Sequence, residues 1–126
     1  MTSQGPARSY GPERSVKPVR ECRDVYELLD QNVRPRPALW VRDESLRDLE
    51  VLLFGYSTAL RLHSVPEDFA LDPVGSFAWW LRETYGWSAA TVLGWARAIE
   101  DNLDEGETAM SAFFRLLDEY RAQLPK

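Results

Sequence analysis

The chain has one cysteine, one histidine and two lysines in 126 residues, and no apolar run approaches the length of a membrane span. A lone Cys22 cannot form an internal disulfide. A lone His63 without a neighbouring cysteine or histidine cannot supply an ordinary zinc site. The longest uncharged apolar stretch falls well short of the ~18 residues a membrane helix needs, so a membrane protein is not expected. No apolar stretch follows the first charges, so no secretory signal is read, and the reading is a cytoplasmic chain. A P-loop, a dinucleotide fingerprint, a nucleophile elbow and paired metal-ligand motifs are all missing. Asp101 to Ala112 matches a calcium loop only superficially, because Leu103 and Ala112 stand where ligands are required. The expectation is therefore no catalytic residue, no metal and no cofactor.

Charge is unevenly placed. The total is −5. Arg8, Arg14, Lys17 and Arg20 against Glu13 give residues 1–20 a charge of +3, so the remainder carries −8. An acidic folded part is a poor match for phosphate backbones, and nucleic acid is not an expected partner. Thirteen of the fifteen cationic residues are arginine, as expected of a GC-rich source.

One mostly α-helical domain is expected over 21–126, a compact bundle of about five helices, preceded by a flexible arm at 1–20 that is rich in Pro, Gly and Ser. Deleting residues 1–18 is expected to change the thermal midpoint by only a few degrees. Apolar spacing predicts a first helix over Cys22 to Gln31, with Cys22 packed in the core. Pro35 and Pro37 end it and favour a short extended segment near 38–41. Ser45 and Asp48 suggest a capping box opening a helix to about His63, with Asp43 as the competing cap. His63 reads as a helix C-terminal cap, with acid/base work as the alternative. Asp72-Pro73 predicts the start of a third helix running to Tyr85, closed by Gly86. A fourth runs from Ser88 to about Asn102. A fifth, capped by Asp104 and Glu107, runs to about Gln123 with Met110, Phe113, Phe114, Leu117, Tyr120 and Leu124 on one stripe. Capping of that helix also accounts for most of the acidic group Glu100, Asp101, Asp104, Glu105 and Glu107. Glu100 and Asp101 sit at the unfavourable end of the fourth helix dipole and leave room for a cationic partner.

Two helices have apolar residues on the wrong side. In the third, Val74, Phe77, Trp80, Leu81 and Tyr85 share one sector, whereas Trp79 points about 200° from Phe77. A homodimer contact, a ligand wall, cover by the arm, or packing against a loop would each explain it. In the second, Leu46, Leu49, Leu53, Tyr56 and Leu60 define one face, while Val51, Phe54 and Leu62 gather opposite. Such a helix lies at the centre of the fold or meets a second subunit, and an isologous homodimer is the commoner solution.

The segment Arg36-Pro37-Ala38-Leu39-Trp40-Val41, then Asp43-x-Ser45-Leu46-x-x-Leu49 and Gly55-Tyr56, resembles a family of short bacterial proteins. Gly86-Trp87-Ser88, Trp95 and Phe113-Phe114-x-Leu116-Leu117 extend the likeness over residues 34–120. Within that group the whole chain looks most like the small lysinoalanine-forming proteins of cinnamycin- and duramycin-type lantibiotic clusters. The resemblance implies a homodimer that binds a thioether-bridged precursor peptide and promotes addition of a lysine amine to a dehydroalanine. A free lysine amine titrates near 10.4, and holding amine and alkene in a near-attack pose supplies much of the required rate. No catalytic residue of that family transfers to a numbered position. The expected peptide-binding residues are Trp40, His63, Phe69, Trp79 and Trp87. An immunity or antitoxin protein that blocks a basic toxin, and a plain peptide-binding module, are the alternatives.

Overall fold

The structure is a computed structural model that describes residues 17–125. The chain divides into two compact units, Met1–Pro35 and Arg36–Lys126. Among the described residues it is mostly helical with no strand.

In the first unit, Asp24 caps helix α1 (Val25–Leu28) by accepting from the Glu27 backbone N–H at 2.9 Å. The helix then widens into a π-turn over Leu29–Val33. Val25, Leu28, Leu29 and Val33 are buried. Cys22 precedes the helix instead of joining its apolar face. It is half-buried, and Asn32 Nδ2 donates to its sulfur at 3.4 Å. The expected arm 1–20 lies outside the described residues up to residue 16. Its last residues are tied down: the Lys17 N–H donates to Gln31 Oε1 at 3.2 Å, Asn32 Nδ2 donates to the Lys17 carbonyl at 3.1 Å, and Lys17 pairs with Glu27. Hydrogen bonds from Lys17 and from the Arg23 backbone hold the Glu27 carboxyl down at about 2.

The second unit opens with two 3-10 turns, Pro37–Leu39 and Arg42–Glu44. Residues 38–41 therefore form no extended run, because the Trp40 N–H folds back onto the Pro37 carbonyl at 2.9 Å. Asp43 and Glu44 both adopt left-handed backbone, with φ of 53° and 51°. Ser45 then caps α2 (Leu46–Leu62), its hydroxyl accepting from the Asp48 N–H at 3.1 Å, and His63 occupies the C-cap. Helix α3 (Ser76–Tyr85) starts later than Asp72-Pro73 suggests. Asp72 to Gly75 form a turn, with the Gly75 N–H on the Asp72 carbonyl at 2.9 Å, so Val74 is exposed on that turn. Gly86, at φ 75°, ends α3 in the left-handed geometry expected of a helix terminator.

The single helix expected over 88–102 is two helices, α4 (Ala90–Leu93) and α5 (Trp95–Glu100). Gly94 separates them at φ 98°, ψ 159°, a conformation essentially reserved for glycine. The break lets α5 point its first N–H groups away from α4. The Trp95 N–H donates to the Pro73 carbonyl at 3.1 Å, and the Ala96 N–H donates to Glu50 Oε2 at 2.9 Å. A carboxylate carried by α2 thus caps α5 from 46 residues away. The last helix, α6 (Ala109–Ala122), is capped by Thr108, which accepts from the Ser111 N–H at 3.1 Å, and not by Asp104. Asp104 and Glu107 close the preceding turn, the Glu107 N–H donating to the Asp104 carbonyl at 3.0 Å.

The core of this unit is aromatic. Phe77, Trp95 and Phe113 are fully buried, and Phe77 makes edge contacts to Trp95, Phe113 and Tyr120 at 5.5–5.9 Å. Leu46, Leu49, Leu53, Leu81, Leu116 and Leu117 fill the space around them. Each such side chain contributes about 1.5–3 kcal/mol on leaving water.

Two outcomes follow from the α4–α5 junction. Gly94→Ala forces a left-handed backbone on a residue with a Cβ and drives that Cβ to 2.7 Å from Glu50 Oε2, displacing the cap. A loss of about 2 kcal/mol or more, read as a fall of several degrees in the thermal midpoint, is expected. Burial raises the Glu50 carboxyl above its ordinary value of 4.5, while the Ala96 N–H partly opposes the shift. A raised carboxyl favours the folded state when protonated, and that contribution is lost as pH rises through the folded value. Glu50→Gln keeps an acceptor for Ala96 and removes the titration. The stability of the unsubstituted chain relative to Glu50→Gln should therefore increase as pH falls from neutrality towards 4.5, as measured by denaturant unfolding across that range.

Candidate functional site

Helix α2 ends at Leu62, and Ser64 turns the chain back at φ 53°. The Val65 N–H donates to the Leu60 carbonyl at 2.8 Å, so the loop folds against the last turns of the helix. Tyr56 holds the loop's far side: its ring stacks on Phe69 at 5.4 Å and 19°, and its hydroxyl donates to Glu67 Oε1 at 2.7 Å. Between helix and loop lies an open cleft of about 380 Å³, lined among others by Ser57, Arg61, Val65, Glu67, Phe69 and Asp72. That volume lies within the usual range for a small-ligand or side-chain site.

The cleft is chemically asymmetric. Ser57 is the buried polar residue of α2, and Arg61 Nη1 donates to its Oγ at 2.8 Å. Arg61 also reaches Thr58 Oγ1 at 3.5 Å and lies 5.9 Å from the Phe54 ring centroid. Asp72 Oδ1 is buried and has no hydrogen-bond partner among the described residues. A buried carboxylate oxygen without a donor is costly, and a donor supplied by a ligand recovers that cost.

The five residues expected to bind peptide are dispersed. Phe69 lines the cleft, and His63 is exposed at the end of α2, next to the cleft residue Ser64. Trp40 is half-buried after the first 3-10 turn. Trp79 is 49% exposed on α3, with the Arg82 guanidinium over its ring at 5.2 Å. Trp87 follows α3 and stacks on Tyr85 at 4.9 Å. Asp72, Glu67 and Ser57 were not expected at a site. The sequence gives Asp72 the appearance of a helix cap and Ser57 that of a mid-helix filler. Only the turn at 72–75, which leaves the Asp72 side chain uncommitted to a helix N-terminus, reveals the difference.

Much of the acidic group of the α5–α6 region is matched by the chain's own arginines. Glu100 pairs with Arg47 at 2.8 Å, Asp101 with Arg97 at 3.1 Å, and Glu107 with Arg115 at 2.9 Å. Arg115 holds the Glu107 carboxyl below its ordinary range, chiefly by direct hydrogen bonding. Capping of α6 is not the role of this group, since Thr108 does that work. Among the described residues no cluster of three or more His, Cys, Asp or Glu could hold a metal ion. No described helix is long and apolar enough to cross a membrane. No protein-family model matches the chain, and no curated protein or solved structure matches it.

Proposed function

We propose that the chain binds a peptide through the cleft at the C-terminal end of α2, and that this peptide is a thioether-bridged lantibiotic precursor whose lysine amine is added to a dehydroalanine. The observation that carries the reading is that Asp72, whose buried Oδ1 has no hydrogen-bond partner among the described residues, lines the same cleft as Phe69. A lysine ammonium supplies the missing donor, and its methylene stem packs on the Phe69 ring, as long cationic side chains do on apolar surface. Arg61 lines the same cleft and engages the Ser57 and Thr58 hydroxyls.

The reaction needs no redox partner. The lysine ammonium loses a proton, its nitrogen attacks the dehydroalanine Cβ, one N–C bond forms, and the Cα carbanion takes a proton. Mass is unchanged. The role of the chain is to hold the amine and the alkene together, which converts an encounter into a near-attack arrangement. A carboxylate of the peptide then serves as the base, and no side chain of this protein is assigned that task.

The test is calorimetric binding of the dehydroalanine-containing, thioether-bridged precursor to the full chain, alongside conversion read as loss of the thiol-reactive alkene without change in mass. Asp72→Ala removes a buried acceptor, so the thermal midpoint should hold within a few degrees or rise, while affinity falls about tenfold. Replacing the peptide lysine with glutamine should cost a similar amount. His63→Ala should keep most of the rate at saturating peptide. Failure of the precursor to bind, or equal binding by Asp72→Ala, would overturn the reading, and loss of conversion in His63→Ala with binding intact would overturn the positioning mechanism.

A further inference from the structure

The cleft at the end of α2 has two walls: Ser57, Leu60 and Arg61 on the helix, and Glu67, Phe69 and Asp72 on the segment that follows. The second wall is anchored from α5. Trp95 holds it twice, its indole Nε1–H donating to the Leu71 carbonyl at 3.0 Å and its backbone N–H to the Pro73 carbonyl at 3.1 Å. The two bonds grip the residues on either side of Asp72. The Phe77 N–H donates to the Ala70 carbonyl at 3.0 Å, and the Gly75 N–H to the Asp72 carbonyl at 2.9 Å. Every carbonyl from Ala70 to Pro73 thus has a donor, whereas Asp72 Oδ1 has none among the described residues. Gly75 leaves the turn no slack, since a Cβ there would lie 3.2 Å from the Ala70 carbonyl oxygen and 3.3 Å from Asp72 Cβ. The helix wall is tied to the same point. Ala96, next to Trp95, donates its N–H to Glu50 Oε2 at 2.9 Å, and Glu50 lies on the same helix as Ser57 and Arg61. A path with a hydrogen bond at each junction therefore runs from α2 through α5 to residues 71 and 73.

We propose that Trp95 is a positioning residue of the cleft: its indole and amide N–H groups set where Asp72 stands relative to α2, and so set the affinity for the ligand. The proposal rests on the peptide-binding reading of the cleft given above. Trp95 is fully buried and does not line the cleft, so it acts through Leu71 and Pro73 and touches no ligand. A site held in place before the ligand arrives loses less freedom on binding. One that is about 1 Å too loose fails even with every residue present. The coupling is reciprocal. A ligand held at Asp72 opposes the local opening that parts Trp95 from the two carbonyls, so bound ligand slows hydrogen exchange of the Trp95 indole. A tryptophan that only filled the core would not report the ligand in this way.

The experiment compares two variants of the full chain. Trp95→Phe keeps a ring beside Phe113 and the backbone bond to Pro73, and removes the bond to Leu71. Leu116→Ala, buried on α6 and outside the cleft lining, is the control for lost core volume. At a temperature where circular dichroism shows both folded, hydrogen exchange of the Gly75 N–H should be several-fold faster in Trp95→Phe than in Leu116→Ala. Calorimetry with the thioether-bridged, dehydroalanine-containing precursor should show affinity about tenfold weaker in Trp95→Phe, and within about twofold of the unsubstituted chain in Leu116→Ala. In the unsubstituted chain, the precursor should slow exchange of the Trp95 indole N–H, a measurement that needs no variant to fold. Equal Gly75 exchange in the two variants overturns the clamp whether or not any peptide binds. Equal loss of affinity in the two variants, or indole exchange unchanged by bound precursor, reduces Trp95 to core packing and overturns the proposal. Failure of the unsubstituted chain to bind the precursor overturns the peptide reading instead, and Gly75 exchange still decides the clamp.

Discussion

The indole of Trp95 is fully buried, stacks on Phe113 at 4.8 Å, meets Phe77 edge-on and donates its N–H to the Leu71 carbonyl at 3.0 Å. One side chain therefore joins α5 to α3, to α6 and to the loop before α3. A buried indole N–H must find an acceptor, and Leu71 can offer its carbonyl only because the chain turns at 72–75 instead of entering the helix at once. The break at Gly94 is the other half of the same constraint. A continuous helix through 88–102 would carry Trp95 on a different heading and leave Glu50 without the Ala96 amide.

The long helices were legible because their signals are local. Ser45 as the cap of α2, Gly86 as the terminator of α3 and the stripe of α6 each depend on neighbours within one or two turns. The errors share a different cause. Gly94 sits between residues whose apolar period continues across it, so the interruption is visible only through Glu50, a residue far away in sequence. Asp104 with Glu107 has the spacing of a cap, but Thr108 lies nearer the helix and leaves the acidic pair to close the turn. Prolines 35 and 37 suggested extension, yet Pro37 has the φ of a tight turn as well as that of a strand, and the Trp40 amide chose the turn.

The candidate site was less legible than the fold. Aromatic residues on the wrong face of a helix are visible in a sequence, and Trp79 and Phe54 are indeed exposed. What each one meets is not written in the period: Trp79 lies under Arg82, whereas Phe69, on no helix, forms the wall of the cleft. The chemistry at that wall depends on an acceptor without a donor, a property of three-dimensional burial and not of residue type. Likewise, the acidic excess suggested an outward-facing charge, but arginines 47, 97 and 115 meet much of it within the chain.

Helix α5 has six residues, far below the length at which a helix is stable alone in water, where nucleation is unfavourable. Its first turn is completed by a carboxylate that α2 must deliver and by a carbonyl from Pro73. The first turn of α5 is therefore complete only when the helix is docked against α2. The Ala96 amide is accordingly a gauge of that docking, its hydrogen exchange reporting the contact of two elements rather than the fraying of one.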